Sequence, residues 1–308
     1  MKKKVIVAVL CAVSAIGISV LLAYLISEFT KPEPVEKPAN ILEVSWYAED
    51  GDEFVITTAE ELREFAELSE YYSFEGQTVR LGADIVLNEG NAADFKSDPP
   101  KNLWKPIVNF AGTFDGQGHT ISGLYAESYS NESALFIRTD YHCTLKNFSL
   151  KNSYFRTTGY VGSASIMANG GGTLIGIYSD AMIDHTGENV GGIASMVTSN
   201  SSFEECWFDG SITTTRRGVG GIVDGIGETS AEIKHCLFSG TIVSTYIPLH
   251  YLDSGARSGG LIGYVMNGGS LTTEDCLVCG TMKAENYNHS GGFLGVLGGN
   301  STATVTNV

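Results

Sequence analysis

Between Ser133 and Val308 the apolar positions recur with a period of about 30 residues, the mark of a repeat architecture. The clearest copies run Val190-Gly191-Gly192-Ile193 to Ser202–Ile212 and Val219-Gly220-Gly221-Ile222 to Glu232–Ile242. Aligning all copies gives five apolar columns. The first is Phe136, Ala164, Ile193, Ile222, Leu261 and Phe293, and the second is Leu145, Leu174, Phe203, Ile233, Thr273 and Val305. The third is Phe148, Ile177, Cys206, Cys236, Cys276 and Val308. The fourth is Leu150, Ser179, Phe208, Phe238 and Val278; the fifth is Tyr154, Ile183, Ile212, Ile242 and Met282. Even steps separate the third, fourth and fifth columns, which is the period of a strand with one buried face. The step from the second to the third is odd, so a corner falls between them. Gly210, Gly240 and Gly280 share a further column with Ala181 and Asn152, small or turn-forming residues suited to a bend or a close approach between coils.

Short strands, regular corners and no helical period predict an all-β fold, a parallel β-helix in which each coil pairs with its neighbours about 4.8 Å away. The segments that vary in length follow the Gly-Gly strand and precede the next one. The longest, Val243–Arg257, holds Tyr246, His250, Tyr251 and Asp253, candidate binding residues for a glycan or protein because loops on one side of a solenoid commonly form its binding side. Upstream, Thr58-Ala59-Glu60-Glu61 has the form of a capping box and leads into helically spaced Leu62, Phe65, Ala66 and Leu68. This predicts a capping helix over Thr58–Glu70, with the first coil starting at Thr78–Leu81 and Ile85–Leu87.

Met1-Lys2-Lys3-Lys4 precedes an uncharged, mostly apolar run from Val5 to Ser27, long enough to span a bilayer. An uncleaved signal-anchor helix over residues 1–27 is expected, single-pass in the cell membrane with an extracellular carboxyl-terminal part. A cleaved signal peptide, giving a secreted protein, is the competing reading. Residues 28–40, rich in proline and charge, form a semi-rigid linker. Residues 41–132 then supply the cap and first coils, and 133–308 the repeat coils, the last copy stopping in mid-repeat.

The net charge of −16 argues against nucleic acid, and leaves the amino-terminal helix as the only expected membrane contact. Cys206, Cys236 and Cys276 share a column with Phe148 and Ile177, so they are expected to act as small buried hydrophobes. Cys276 and Cys279 lack the second ligand pair that a zinc site needs. No metal or cofactor is expected. The six histidines stand alone, without His-Glu-x-x-His. The sharpest catalytic constellation is Glu205, His235 and Asp275, stacked at one corner over three coils. The rival reading is a polar corner ladder, because Asn147 and Asn307 hold the same column and corner polar side chains satisfy turn backbone groups.

These columns resemble the GLUG motif of exported bacterial surface proteins, seen here as Ala134–Ile137, Gly192-Ile193-Ala194, Gly221-Ile222-Val223, Gly260-Leu261-Ile262-Gly263 and Gly292-Phe293-Leu294-Gly295. Ile56–Leu62, Leu81–Ile85, Trp104–Ile107 and Phe110–Leu124 look like the block that precedes such repeats. The strict Gly-Leu-x-Gly form occurs at Gly260–Gly263. The resemblance implies a right-handed β-helix, and it is shared by adhesin-like proteins and by regions beside the catalytic domain of immunoglobulin-A-cleaving metallopeptidases. It supplies no catalytic residues. The expected function is that of a non-enzymatic, membrane-tethered, adhesin-like binding or display module for an extracellular glycan or host protein. The alternatives are a carbohydrate-active β-helix lyase or glycosidase, and a non-catalytic accessory region of a larger surface peptidase.

Overall fold

A computed structural model describes residues 44–128, 132–158, 163–215, 218–245, 257–285 and 289–308. The anticipated membrane helix and linker, and Tyr246, His250, Tyr251 and Asp253, lie outside the described residues. Among those described, no helix is long and apolar enough to cross a membrane.

The chain winds as a parallel β-solenoid. Its strands form a 23-stranded sheet and a six-stranded sheet, and the pairings run between one coil and the next. One coil reads, in order, Gly218–Gly220, Val223–Ile226, Ser230–Lys234, Leu237–Phe238 and Thr241–Thr245. The first four belong to the larger sheet, and Thr241–Thr245 lies in the smaller one with Tyr125–Ser128, Tyr154–Thr157, Met182–His185, Ser211–Thr214 and Thr281–Glu285.

The predicted columns are the core. The second extends further than the repeats suggested: Phe54, Val79, Phe114, Leu145, Leu174, Phe203, Ile233, Thr273 and Val305 pair in unbroken register. The fourth likewise begins at Ile85 and Ile121 before Leu150. The phenyl rings of Phe208 and Phe238 lie parallel with centroids 6.3 Å apart. Ile193, Ile222, Leu261 and Phe293 follow one another through backbone hydrogen bonds from each N–H to the next coil's carbonyl.

Three column assignments are corrected. Phe136 pairs with Met167, and Ala164 with Ser133, so Leu135 and Ile166 stand under Ile193 instead of Phe136 and Ala164. In the fifth column Phe155, not Tyr154, pairs with Ile183. Tyr154 points outward yet is buried, because the segment after Leu87 folds back and places Ala92 and Phe95 against Tyr125 and Tyr154. In the small-residue column Ser153, not Asn152, stands under Ala181. The side-chain oxygen of Asn152 accepts from Ala92 N–H at 2.8 Å and its amide donates to the Gly90 carbonyl at 2.7 Å, tying down that covering segment.

The helix α1 spans Ala59–Leu68. Thr58 caps it with both hydrogen bonds of the capping box: Glu61 N–H donates to Thr58 Oγ1, and Thr58 N–H donates to the Glu61 carboxylate. Leu62, Phe65, Ala66 and Leu68 are buried, and the Phe65 ring contacts Phe74, Phe110 and Phe114. The helix does not precede the first coil, as the sequence implied. Strand Glu53–Ile56 comes first and pairs with Thr78–Leu81, so α1 is inserted within the opening coil.

A Cβ at Gly240 would lie 2.3 Å from the Gly210 carbonyl oxygen, and one at Gly280 2.5 Å from that of Gly240. Close approach therefore sets this column. Replacing Gly240 by Ala is expected to cost about 1–3 kcal/mol through overpacking. Phe208→Ala is expected to cost about 3–5 kcal/mol through the cavity it opens. Chemical denaturation of each variant checks both; a Gly240→Ala chain as stable as the parent would contradict the coil contact.

Candidate functional site

The corner between the second and third columns is built by a left-handed backbone. Asn147, Gly176, Glu205, His235, Asp275 and Asn307 have φ of 56°, 61°, 53°, 52°, 50° and 51°. Non-glycine residues rarely adopt this conformation, and short polar ones tolerate it best. The three candidate residues Glu205, His235 and Asp275 do stack there, with exposed side chains. His235 Nε2 lies 3.6 Å from Asp275 Oδ2, and its Nδ1 lies 3.9 Å from Glu204 rather than from Glu205. Asn307 donates to Asp275 Oδ1 at 2.8 Å, continuing the ladder upward. Behind the corner the thiols of Cys206, Cys236 and Cys276 each reach back to the carbonyl two residues earlier, at 3.5, 3.2 and 3.4 Å. These cysteines are free and buried; contact with the neighbouring thiol, together with burial, pushes Cys236 and Cys276 up from the usual thiol range. Such thiols are poor nucleophiles.

A different group of residues gathers beside the variable-length segments. In successive coils the last strand of the six-stranded sheet ends, and the next strand of the larger sheet begins, at one edge of the stack; residues 129–131, 159–162, 186–188, 216–217, 246–256 and 286–288 separate these strand ends in sequence. Strands Thr241–Thr245 and Arg257–Gly259 take up both ends of the predicted segment Val243–Arg257 and leave residues 246–256 between them. Where the chain re-enters, Asn189, Gly218, Arg257 and His289 stand over one another. The next strand folds tightly against this one: a Cβ at Gly220 would fall 1.9 Å from the Val223 carbonyl oxygen.

Asp224 sits in that fold. It is 0% exposed, and neither carboxylate oxygen closes a hydrogen bond, although the Val190 N–H faces it. A Cβ at Gly218 would come within 2.4 Å of its Oδ2, and one at Gly263 within 2.2 Å of its Oδ1. Glycine at both positions makes room for the carboxyl group. Desolvation drives its pKa well above the usual aspartate value, with Glu188 adding to that and Arg257 opposing it. Arg257 lies over the Tyr264 ring, 3.6 Å from its centroid. Its Nε is buried without a hydrogen-bond partner, and no salt bridge among the described residues includes it. Tyr264 donates to Asn189 Oδ1 at 3.3 Å, which holds its ring in place, and burial pushes its hydroxyl up to about 12. Beside these residues a cavity of about 390 Å³ opens, lined by Glu228, Arg257, Tyr264, Met266, Asn267, His289 and Val296 among others. Among the described residues no group of three or more His, Cys, Asp or Glu could hold a metal ion.

Sequence reasoning missed Asp224, Arg257 and Tyr264. The available signal was a single aspartate where the aligned copies have Ser195, Gly263 and Gly295, inside an otherwise apolar strand.

No family model matches this chain, and no curated protein matches it. A candidate immunoglobulin A1 protease from Bacteroides ovatus has a similar solved structure, with a TM-score of 0.46 and 16% identity, covering 86% of this chain and 88% of that one.

Two outcomes follow from this geometry. In the unfolded chain Asp224 ionises near the ordinary value, and in the folded chain only at higher pH. Between these limits the native state holds the extra proton, so stability falls as pH rises through the window and is unaffected below it. Asp224→Asn removes that loss. Thermal melts from acid to mildly alkaline pH should show the variant gaining on the parent as pH rises, by about 1.4 kcal/mol for each pH unit of the window traversed. A difference that is flat in pH would refute the buried neutral carboxyl. At the corner, Glu205→Gly should be neutral or slightly stabilising, whereas Glu205→Val should cost about 1–2 kcal/mol because a branched side chain resists the left-handed conformation. Equilibrium denaturation of the pair separates a conformational corner from a functional one.

Proposed function

We propose that this protein is a cell-surface, membrane-tethered β-solenoid that binds or displays an extracellular glycan or host protein through its variable edge. One observation carries this reading: the strands that flank the segments of unequal length end and begin at the same edge in coil after coil, beside a preformed pocket, while most of the paired strands repeat in register. A scaffold that fixes the backbone everywhere else frees this edge to vary, which is how loops on rigid frameworks acquire binding roles. The high net negative charge keeps such a module soluble and disfavours polyanionic partners of the nucleic-acid kind.

The corner residues Glu205, His235 and Asp275 act in this reading as a polar ladder, and catalysis is not assigned to them. Their exposure and the absence of a hydrogen bond from His235 to either neighbouring carboxylate favour this reading.

The test is a glycan and extracellular-protein array probed with the full chain and with a version whose residues 246–256 are replaced by a short Gly-Ser linker. The replacement should retain the parent's circular dichroism and melting temperature and lose most array binding. A parallel assay should detect no release of reducing or unsaturated sugar. Sugar release abolished by Glu205→Gln or Asp275→Asn would establish an enzyme instead.

A further inference from the structure

We propose that the Arg257 pocket is a binding site for a small hydroxylated monocarboxylate, such as a sugar acid, with the guanidinium of Arg257 taking the ligand's carboxylate. The proposal rests on the reading of the variable edge as the binding side, and names the chemistry of one site on it.

Arg257 is half-buried at the cavity wall, its guanidinium lies over the Tyr264 ring, and no carboxylate among the described residues closes on it to salt-bridge distance. Asp224 is enclosed by Gly218 and Gly263, and burial shifts its carboxyl group toward the neutral form. A charged guanidinium thus stands at a cavity wall with no ion-pair partner among the described residues. Guanidinium matches a planar carboxylate with two parallel hydrogen bonds, and stacking on an aromatic ring fixes the fork before the ligand arrives.

The remaining walls narrow the ligand class. Glu228 and Asn267 offer acceptors and donors for hydroxyl groups, and His289 offers a second polar contact beside Arg257. Met266 and Val296 cover an apolar edge. Glu228 lines the pocket and Glu188 lies close enough to act on Asp224, so a doubly charged anion meets more repulsion than a singly charged one. This favours a carboxylate over phosphate. The net charge of −16 makes a fixed local cation necessary for an anion to bind at all.

The experiment is isothermal titration calorimetry on the full chain at neutral pH, with D-glucuronate, D-glucose and inorganic phosphate as separate probes. Glucuronate should bind, glucose should give no signal, and phosphate should bind about tenfold more weakly or worse. Arg257→Gln should weaken glucuronate binding by about tenfold or more, the loss expected for a charge-assisted pair, and Arg257→Lys by less. Asp224→Asn should leave the affinity within about threefold, because Asp224 is fully buried, does not line the pocket and closes no salt bridge with Arg257. Glucose binding as well as glucuronate, phosphate binding more tightly, or an unaltered Arg257→Gln would each overturn the proposal. So would an Asp224→Asn chain that binds about tenfold more tightly, because that would show Asp224 ionised and paired with Arg257. Circular dichroism establishes folding of each variant; if Arg257→Gln does not fold, the comparison of glucuronate with glucose on the parent chain decides. Array binding lost with residues 246–256 but no glucuronate binding would reject this site and leave the proposed function standing.

Discussion

The structure depends on one constraint: backbone hydrogen bonds between successive coils hold the residues of paired strands over their counterparts, with shifts confined to bulges such as that between Gly170 and Gly172. An N–H in one coil has a partner only if the neighbouring coil presents a carbonyl at the same height, and unpaired buried backbone groups are costly. Register is thereby locked along the whole stack. Phe54 and Val305 share a column although most of the described chain lies between them. The interior is then filled by repetition, with Phe208 on Phe238 and Ile212 on Ile242, rather than by a three-dimensional jigsaw of unlike neighbours.

Locked register has a price at the turns. Each coil must bend at the same place, so the strained left-handed conformation recurs in Asn147, Gly176, Glu205, His235, Asp275 and Asn307. A column of carboxylates and an imidazole at a bend looks like chemistry in a one-dimensional sequence. In three dimensions the shared φ supplies a structural cause, because polar residues are among those that best tolerate such a bend while facing water. The same logic accounts for the cysteine column, whose thiols serve the corner carbonyls from inside.

What breaks the repetition is more informative than what obeys it. Asp224 stands between Ser195 in the preceding coil and Gly263 and Gly295 in the following ones, and the surrounding glycines accommodate a side chain that the interior does not welcome. Burying a carboxyl group without hydrogen bonds is unfavourable, and such sites are enriched in function. Here the consequence is electrostatic: burial shifts Asp224 toward its neutral form, and Arg257 stands beside a cavity without a salt bridge among the described residues. The second interruption is the buried polar run Thr157, His185, Thr214 and Ser244 at the end of the smaller sheet that leads into the variable edge. Thr157 Oγ1 and His185 Nδ1 approach to 2.5 Å, so part of this run is satisfied internally. Polar interior and variable segments thus meet on one side of the solenoid.

The sequence alone determined the repeat, the strand faces of the second, third and fourth columns, the corner and the capping box of α1, because each depends on local periodicity or on a contact a few residues apart. The second, third and fourth columns needed no correction for that reason. The tertiary structure decided the rest. Phe155 rather than Tyr154 faces inward because a distant segment around Phe95 covers the outer tyrosine, which makes both residues apolar in character and hides the period-two signal. Glu53–Ile56 joins the stack because of a partner beyond an intervening helix. Asp224 belongs to one coil and Arg257 and Tyr264 to consecutive strands of the next; only winding the coils together sets the acid against Gly263, and only the tight fold between Arg257–Gly259 and Ile262–Val265 sets the guanidinium on the ring.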